Sequence, residues 1–198
     1  MARLLVVRHG RTGYNAAHII QGQLDVELDE TGQAQAAAVA PRLAAQEPAA
    51  IVSSDLRRAA DTAAALAALA GLPVRFDARL RERSFGQWQG LHGSEIAERY
   101  PDEYARWQAG QEVDGCGVEG TDELAKRGSE ALRDAAALAP DGTVVVFSHG
   151  GTARHAMAAL FGWSAEALRP VAALGNCRWI DLRRDSVRGW QLRGYNLG

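Results

Sequence analysis

Leu4-Leu5-Val6-Val7 is an unbroken apolar run between Arg3 and Arg8. A run this short, with no polar alternation, leaves no face for water and predicts a strand covered on both sides in a parallel sheet. Ala50-Ile51-Val52 repeats the pattern, Val74 to Phe76 is a shorter version, and Val144-Val145-Val146-Phe147 is its clearest instance. The stretches between these runs are rich in Ala and Leu and read as helices. One covers residues 31 to 47, with Thr31 as its cap and Pro48 just past its end. A second, capped by Ser54 or Asp55, continues through Ala70 and stops at Gly71. Others cover Thr121 to about Leu138 and about Gly151 to Phe161, and two last strands are expected around Cys177 to Leu182 and Val187 to Leu192.

Residues 92 to 110 differ in character. Tyr100, Tyr104 and Trp107 recur at near-helical spacing, and Pro101 divides the stretch into two short helices. A Gly-rich loop follows from Gly110 to Gly120. The alternation of strands and helices predicts an α/β fold: a three-layer α/β/α sandwich with a mostly parallel central sheet and a small helical cap insertion. One domain is expected over residues 1–198, with a cap-like segment at about 85–120, because 198 residues suffice for a single core. Ligands belong at the carboxyl ends of parallel strands. Polar clusters stand at four such ends: Arg8-His9-Gly10, Ser53-Ser54-Asp55 leading to Arg58, Arg79 to Glu82, and Ser148-His149-Gly150.

Charge narrows the function further. With 22 basic against 24 acidic residues the net charge is −2, so no general basic field draws nucleic acid or an anionic membrane, and neither is expected as a partner. Anion recognition must be local. Lys126 is the single lysine, and the arginines that replace lysine elsewhere present a planar fork suited to phosphate oxygens. Cys116 and Cys177 form no CxxC pair and are too few for a disulfide framework or a cysteine-rich zinc site, which suits a cytoplasmic protein. Met1 leads straight into the first strand pattern without a secretory segment, and no apolar run is long enough to span a bilayer.

Arg8-His9-Gly10-Arg11-Thr12-Gly13-Tyr14-Asn15 resembles the RHGxTxxN signature of the histidine phosphatase superfamily, the phosphoglycerate mutase-like proteins. Ser54-Asp55-Leu56-Arg57-Arg58-Ala59 with Thr62-Ala63 is similar to the second signature of that family. Leu80-Arg81-Glu82 with Phe85-Gly86-Gln87-Trp88-Gln89-Gly90 is similar to the third, and Ser148-His149-Gly150-Gly151 completes the set in the expected order. Any one of these motifs alone is weak; four in order over most of the chain are not.

The resemblance implies a phosphomonoesterase that hydrolyses a small phosphorylated metabolite through a phosphohistidine on His9, with no cofactor and no metal. Arg8 and Arg58 then hold phosphoryl oxygens and keep the His9 imidazole neutral, and His149 stabilises the phosphoryl charge. Glu82 serves as proton donor to the leaving group and later as base toward water. Asn15, Gln21, Gly22 and Gly150 join Arg8, Arg58 and His149 in binding the substrate. A homodimer is what the family implies for assembly.

Each residue also has a plainer reading. His9 alone is a buried structural histidine, His149 a helix cap, and Glu82 a member of an exposed cluster with Arg81 and Arg83. Arg57 suits a surface ion pair better than Arg58 does. His18, His92 and His155 are read as non-chemical, and Trp88, Trp107 and Trp163 as packing residues. Gly120 follows Glu119 where relatives carry Ser, and Glu27 stands where many carry Pro; both departures bear on specificity. Mutase chemistry on a phosphoglycerate and a noncatalytic phosphate-binding role remain the alternatives, the former disfavoured because family mutases are longer. Gln21 to Asp25, Ser53 to Arg58 and Gly175-Asn176 with Trp179 resemble the glucosyl-3-phosphoglycerate phosphatase branch, a resemblance that implies a sugar phosphate or phosphoglycerate derivative among the small phosphorylated metabolites. Broad-specificity and alpha-ribazole phosphatases share the main signatures.

Overall fold

The computed structural model describes residues 1–198, the side chain of Ala165 excepted. Six strands, β1 (Arg3–Arg8), β2 (Pro48–Ser53), β3 (Val74–Phe76), β4 (Thr143–Ser148), β5 (Trp179–Asp185) and β6 (Gly189–Leu197), form one sheet in the order β3-β2-β4-β1-β5-β6. The first four are mutually parallel, while β5 and β6 are antiparallel additions at one edge. The sheet is therefore mostly parallel, as the apolar runs predict.

Period-2 alternation divides those runs between two cores. Leu4, Val6, Val144 and Val146 pack on one face with Ala131, Leu132, Ala153 and Met157 from helices α6 (Thr121–Ala137) and α7 (Gly150–Phe161). Leu5, Val7, Val145 and Phe147 pack on the other with Val39, Leu43, Ala63 and Leu66 from α2 (Glu30–Ala44) and α3 (Arg57–Ala70). All eight strand residues are at most 1% exposed. Each such side chain contributes about 1.5–3 kcal/mol by leaving water, which fixes the register of the central strands.

Register places the site. Arg8 lies opposite Ser148, and Ser53 opposite Phe147, so β1, β2 and β4 end level with one another at the same edge. The short helix α1 (Gly13–Ala16) begins at that edge, capped by Thr12 in a capping box with Asn15. Helix α2 is pressed against it: a Cβ on Gly32 would lie 1.9 Å from the Arg11 carbonyl oxygen, a contact only glycine permits.

Two caps differ from expectation. Asp29, not Thr31, caps α2 by accepting from the Gly32 amide, so Pro41 lies inside the helix and Pro48 begins β2. Leu56 occupies the cap position of α3 with no side-chain bond, because Ser54 and Asp55 are engaged elsewhere: Asp55 with Arg81, and Ser54 with His149. The last strands begin and end later than expected, since pairing of β5 with β1 and β6 sets their limits.

Helices α4 (Gly93–Arg99) and α5 (Pro101–Gln108) carry a third apolar cluster around Trp88, Ile96 and Val113, with Tyr100, Tyr104 and Trp107 against it. Pro101 is the first residue of α5, where a missing amide costs nothing. Trp163, by contrast, leaves the core; it is 38% exposed and rests on Phe161 beside the last helix, α8 (Ala165–Leu168).

Candidate active site

His9 follows the last residue of β1 and is 2% exposed. Its Nδ1 lies 2.6 Å from the Gly10 carbonyl oxygen, which makes Nδ1–H the donor and leaves a lone pair on Nε2. The Gly10 amide donates to Thr62 Oγ1 at 3.0 Å, and the Thr62 hydroxyl donates to the Arg58 carbonyl at 2.7 Å. The strand-end turn is thereby tied to α3.

Arg58 lies in the first turn of α3 and is 1% exposed. Its Nε–H lies between two ring lone pairs, 3.3 Å from His9 Nε2 and 3.2 Å from His149 Nδ1. Its outer nitrogens donate to the carbonyls of Leu24 at 2.8 Å and Gly22 at 2.7 Å. Gly22 thus acts through its carbonyl, from a left-handed backbone with φ of +51°. Burial lowers the Arg58 pKa to about 10, with Glu82 and Asp25 opposing the shift, and the group remains a cation at neutrality. Arg8 reaches the Leu174 carbonyl through Nη1 at 2.6 Å, while its buried Nε has no partner among the described residues.

His149 follows β4 and is fully buried, with its ring 5.1 Å from that of His9. With Nδ1 accepting from Arg58, Nε2–H donates to Ser54 Oγ at 2.9 Å. It occupies the cap position of α7 without a side-chain cap bond, so capping is not its role. The amides of Gly151 and Thr152 donate to Glu82 at 3.1 and 3.0 Å. Gly150 lies behind Arg8, a Cβ there falling 3.5 Å from the unpartnered Nε.

The Glu82 oxygens are unequally engaged. Oε1 accepts from the Arg83 and Thr152 amides, whereas Oε2 accepts only from the Gly151 amide among the described residues; the Thr152 hydroxyl donates to the Arg81 carbonyl at 2.7 Å. Oε2 is therefore the oxygen with capacity for a proton. The segment is held by Arg127, a residue that motif reading passed over. Its guanidinium donates to the carbonyls of Arg79, Arg81 and Glu82 and pairs with Glu119 at 2.6 Å. Glu119 in turn accepts from the Ser84 amide, so its work here is to fix the Glu82 segment. The available signal was a cation flanking the buried face of α6, beside Leu124, Gly128 and Ala131.

Asn176 donates to the His9 carbonyl at 2.9 Å and to Asn15 Oδ1 at 3.3 Å, and Asn15 Oδ1 also accepts from the Thr12 amide. With its oxygen so engaged, Asn15 offers its amide nitrogen to the cleft. Gln21 Oε1 accepts from the Thr12 hydroxyl at 2.9 Å. Arg57 pairs with Glu27 on the surface at 3.1 Å, which leaves Arg58 as the buried arginine of the pair.

These parts surround a cleft of about 330 Å³ lined by Arg8, His9, Asn15, Gln21, Gly22, Arg58 and Glu82. Ile19, Ile20, Phe85 and Trp107 form its apolar side. Among the described residues no three His, Cys, Asp or Glu side chains are placed to hold a metal ion, and no helix is long and apolar enough to cross a membrane.

Burial, then Arg58, then Arg8 hold the His9 pKa well below the ordinary imidazole value; burial, Arg58 and His9 do the same for His149. Both rings are therefore neutral in the free protein. Imidazole nitrogen shifts measured by NMR are expected to show neither ring protonating at a pH roughly one unit below the ordinary imidazole value. Because unfolded histidines protonate near the ordinary value and these do not, their contribution to stability is complete above that pH and is lost as pH falls below it.

The histidine phosphatase superfamily (branch 1) model matches residues 4–198. A glucosyl-3-phosphoglycerate phosphatase of Mycolicibacterium vanbaalenii is 38% identical over 187 residues, covering 91% of this chain and 83% of that protein. The metal-independent phosphoserine phosphatase of Arabidopsis thaliana is 36% identical over 211 residues, covering 99% and 88%. The solved structure of a mycobacterial glucosyl-3-phosphoglycerate phosphatase with VO3 superposes with a TM-score of 0.90 at 37% identity, covering both chains completely. Its motifs, sheet and match over nearly the whole length place this chain in the histidine phosphatase superfamily, branch 1.

Proposed function

We propose that the protein is a phosphomonoesterase that transfers phosphate from a small acidic metabolite to His9 and then to water. The observation that carries this is a buried, neutral His9 with an unprotonated Nε2, lining a cleft beside Arg8 and Arg58. Its relatives named as glucosyl-3-phosphoglycerate and phosphoserine phosphatases support both the reaction and the acidic substrate class.

In the first step His9 Nε2 donates its lone pair to phosphorus, the bond from phosphorus to the ester oxygen breaks, and the departing alkoxide takes the proton of Glu82. Arg8, Arg58 and the Asn15 amide hold the equatorial oxygens, whose charge must be met in a loose transition state. His149 sits behind them and adds its ring dipole. In the second step Glu82 takes a proton from water as the oxygen bonds to phosphorus, and the electron pair returns to Nε2. The Gly10 carbonyl accompanies both steps, because it stabilises the positive charge that His9 acquires on phosphorylation.

Residues 85 to about 120 act as a cap on a single catalytic domain. Phe85 and Trp107 turn apolar surface toward the leaving group and limit water near phosphohistidine. Gln21 and Gly22 complete the mouth, the latter by anchoring Arg58. With 3-phosphoglycerate as substrate, phosphate release is expected to exceed isomerisation by at least about tenfold, with an acid-labile phosphoprotein on rapid quench. Isomerisation faster than release would make the protein a mutase, and absence of both turnover and phosphoprotein would leave only a phosphate-binding role.

A further inference from the structure

Behind the wall of the cleft lies a second cavity of about 230 Å³, lined in part by Arg83, Trp107, Glu112, Arg154, His155 and Arg169. Trp107 lines both spaces, and the Arg83 guanidinium stacks over its ring at 5.0 Å, so the two spaces adjoin at this ring. Three guanidinium groups face one carboxylate. Glu112 meets Arg83 at 3.4 Å, but its side chain is 52% exposed and its oxygens also accept from the Thr121 amide.

Among the described residues, no carboxylate lies within 4.0 Å of Arg154 or Arg169. Arg154 donates through Nη2 to the carbonyls of Leu168 and Val171, at 3.2 and 2.8 Å, while its Nε is buried with no partner. Arg154 therefore has carbonyl partners but no anionic one, and a partly buried cation without a counter-charge favours an anion beside it. Arg169 also lines the cavity, its Nη2 3.4 Å from where a Cβ on Gly110 would sit. Arg83 and Arg154 also anchor the carbonyls of Glu119, Leu168 and Val171, whereas the Arg169 guanidinium makes no hydrogen bond or ion pair among the described residues.

We propose that this cavity is a second anion site, which takes a carboxylate- or phosphate-bearing group beside the phosphate-transfer cleft. The group belongs either to the far end of a substrate whose ester phosphate lies at His9 or to a separate small anion. The substrate alternative rests on the phosphatase reading, whereas the separate anion does not.

Two measurements on the wild type and on Arg169→Glu distinguish them. In calorimetry, with orthovanadate saturating the first cleft, wild type is expected to bind tricarballylate and the variant to bind it at least about tenfold more weakly. That result establishes a site for a free anion. In kinetics, if the substrate supplies the group, the variant loses about tenfold or more in kcat/KM on 3-phosphoglycerate while retaining its activity on 4-nitrophenyl phosphate. The proposal is overturned if the vanadate-loaded wild type binds no tricarballylate, or binds it no better than the variant does, and the ratio of the two kcat/KM values is unchanged. A wild type that hydrolyses neither ester defeats the phosphatase reading, and the calorimetric result still decides the second site.

Discussion

Replacement of His9 by alanine will lower kcat for phosphate release by at least about 10⁴-fold, equivalent to about 5 kcal/mol of activation free energy. The expectation follows from where the chemistry is concentrated. The cleft holds no second nucleophile in a comparable position: His149 is fully buried, with one nitrogen toward Arg58 and the other bonded to Ser54. Without the His9 lone pair, water must attack phosphorus directly, and the covalent route that divides one hard step into two is lost. Arg8 and Arg58 remain, so the variant should still bind inorganic phosphate, and its circular dichroism spectrum should match wild type. Rapid quench should recover no acid-labile phosphate on the variant. Turnover within tenfold of wild type, or a phosphoprotein that persists, would remove His9 from the mechanism.

Glu82→Gln should give a loss that depends on the leaving group. The amide preserves volume and an acceptor oxygen but cannot supply the proton that an alkoxide needs. For a simple alkyl phosphate kcat is expected to fall about 10²–10⁴-fold, the range for removal of a general acid. With 4-nitrophenyl phosphate the leaving group departs without a proton, so phosphorylation of His9 should be nearly unimpaired. The second step still needs a base, and phosphoenzyme should accumulate as a burst followed by slow turnover. Equal losses on both esters without a burst would show that Glu82 acts by holding structure, through the amides of Gly151 and Thr152, and not by moving a proton.

Much of this site was legible because its residues sit in short continuous motifs at the ends of apolar runs. His9 and His149 each follow a buried strand whose register is set by alternation, so local sequence largely determines where they emerge. Arg127 and Thr62 are different. They act on backbone groups at least 45 residues away in the chain, at Arg79 to Glu82 and at Gly10, and no local pattern names such a partner. The caps fail for a related reason. Ser54 and Asp55 are good capping residues by type, but His149 and Arg81 compete for them once the fold has closed.

The sequence by itself determined the layered α/β class, the central strands, the break at Pro101 and the family motifs whose residues gather at the strand ends. These depend on hydrophobic period, backbone restriction and contiguous motifs, all of which are local. Tertiary structure alone decided which Glu82 oxygen is available, that Arg58 is held by the carbonyls of Gly22 and Leu24, and that a second arginine-lined cavity lies behind Trp107. Each depends on distances between segments far apart in the chain, and those distances exist only after burial of the two sheet faces has brought the segments together.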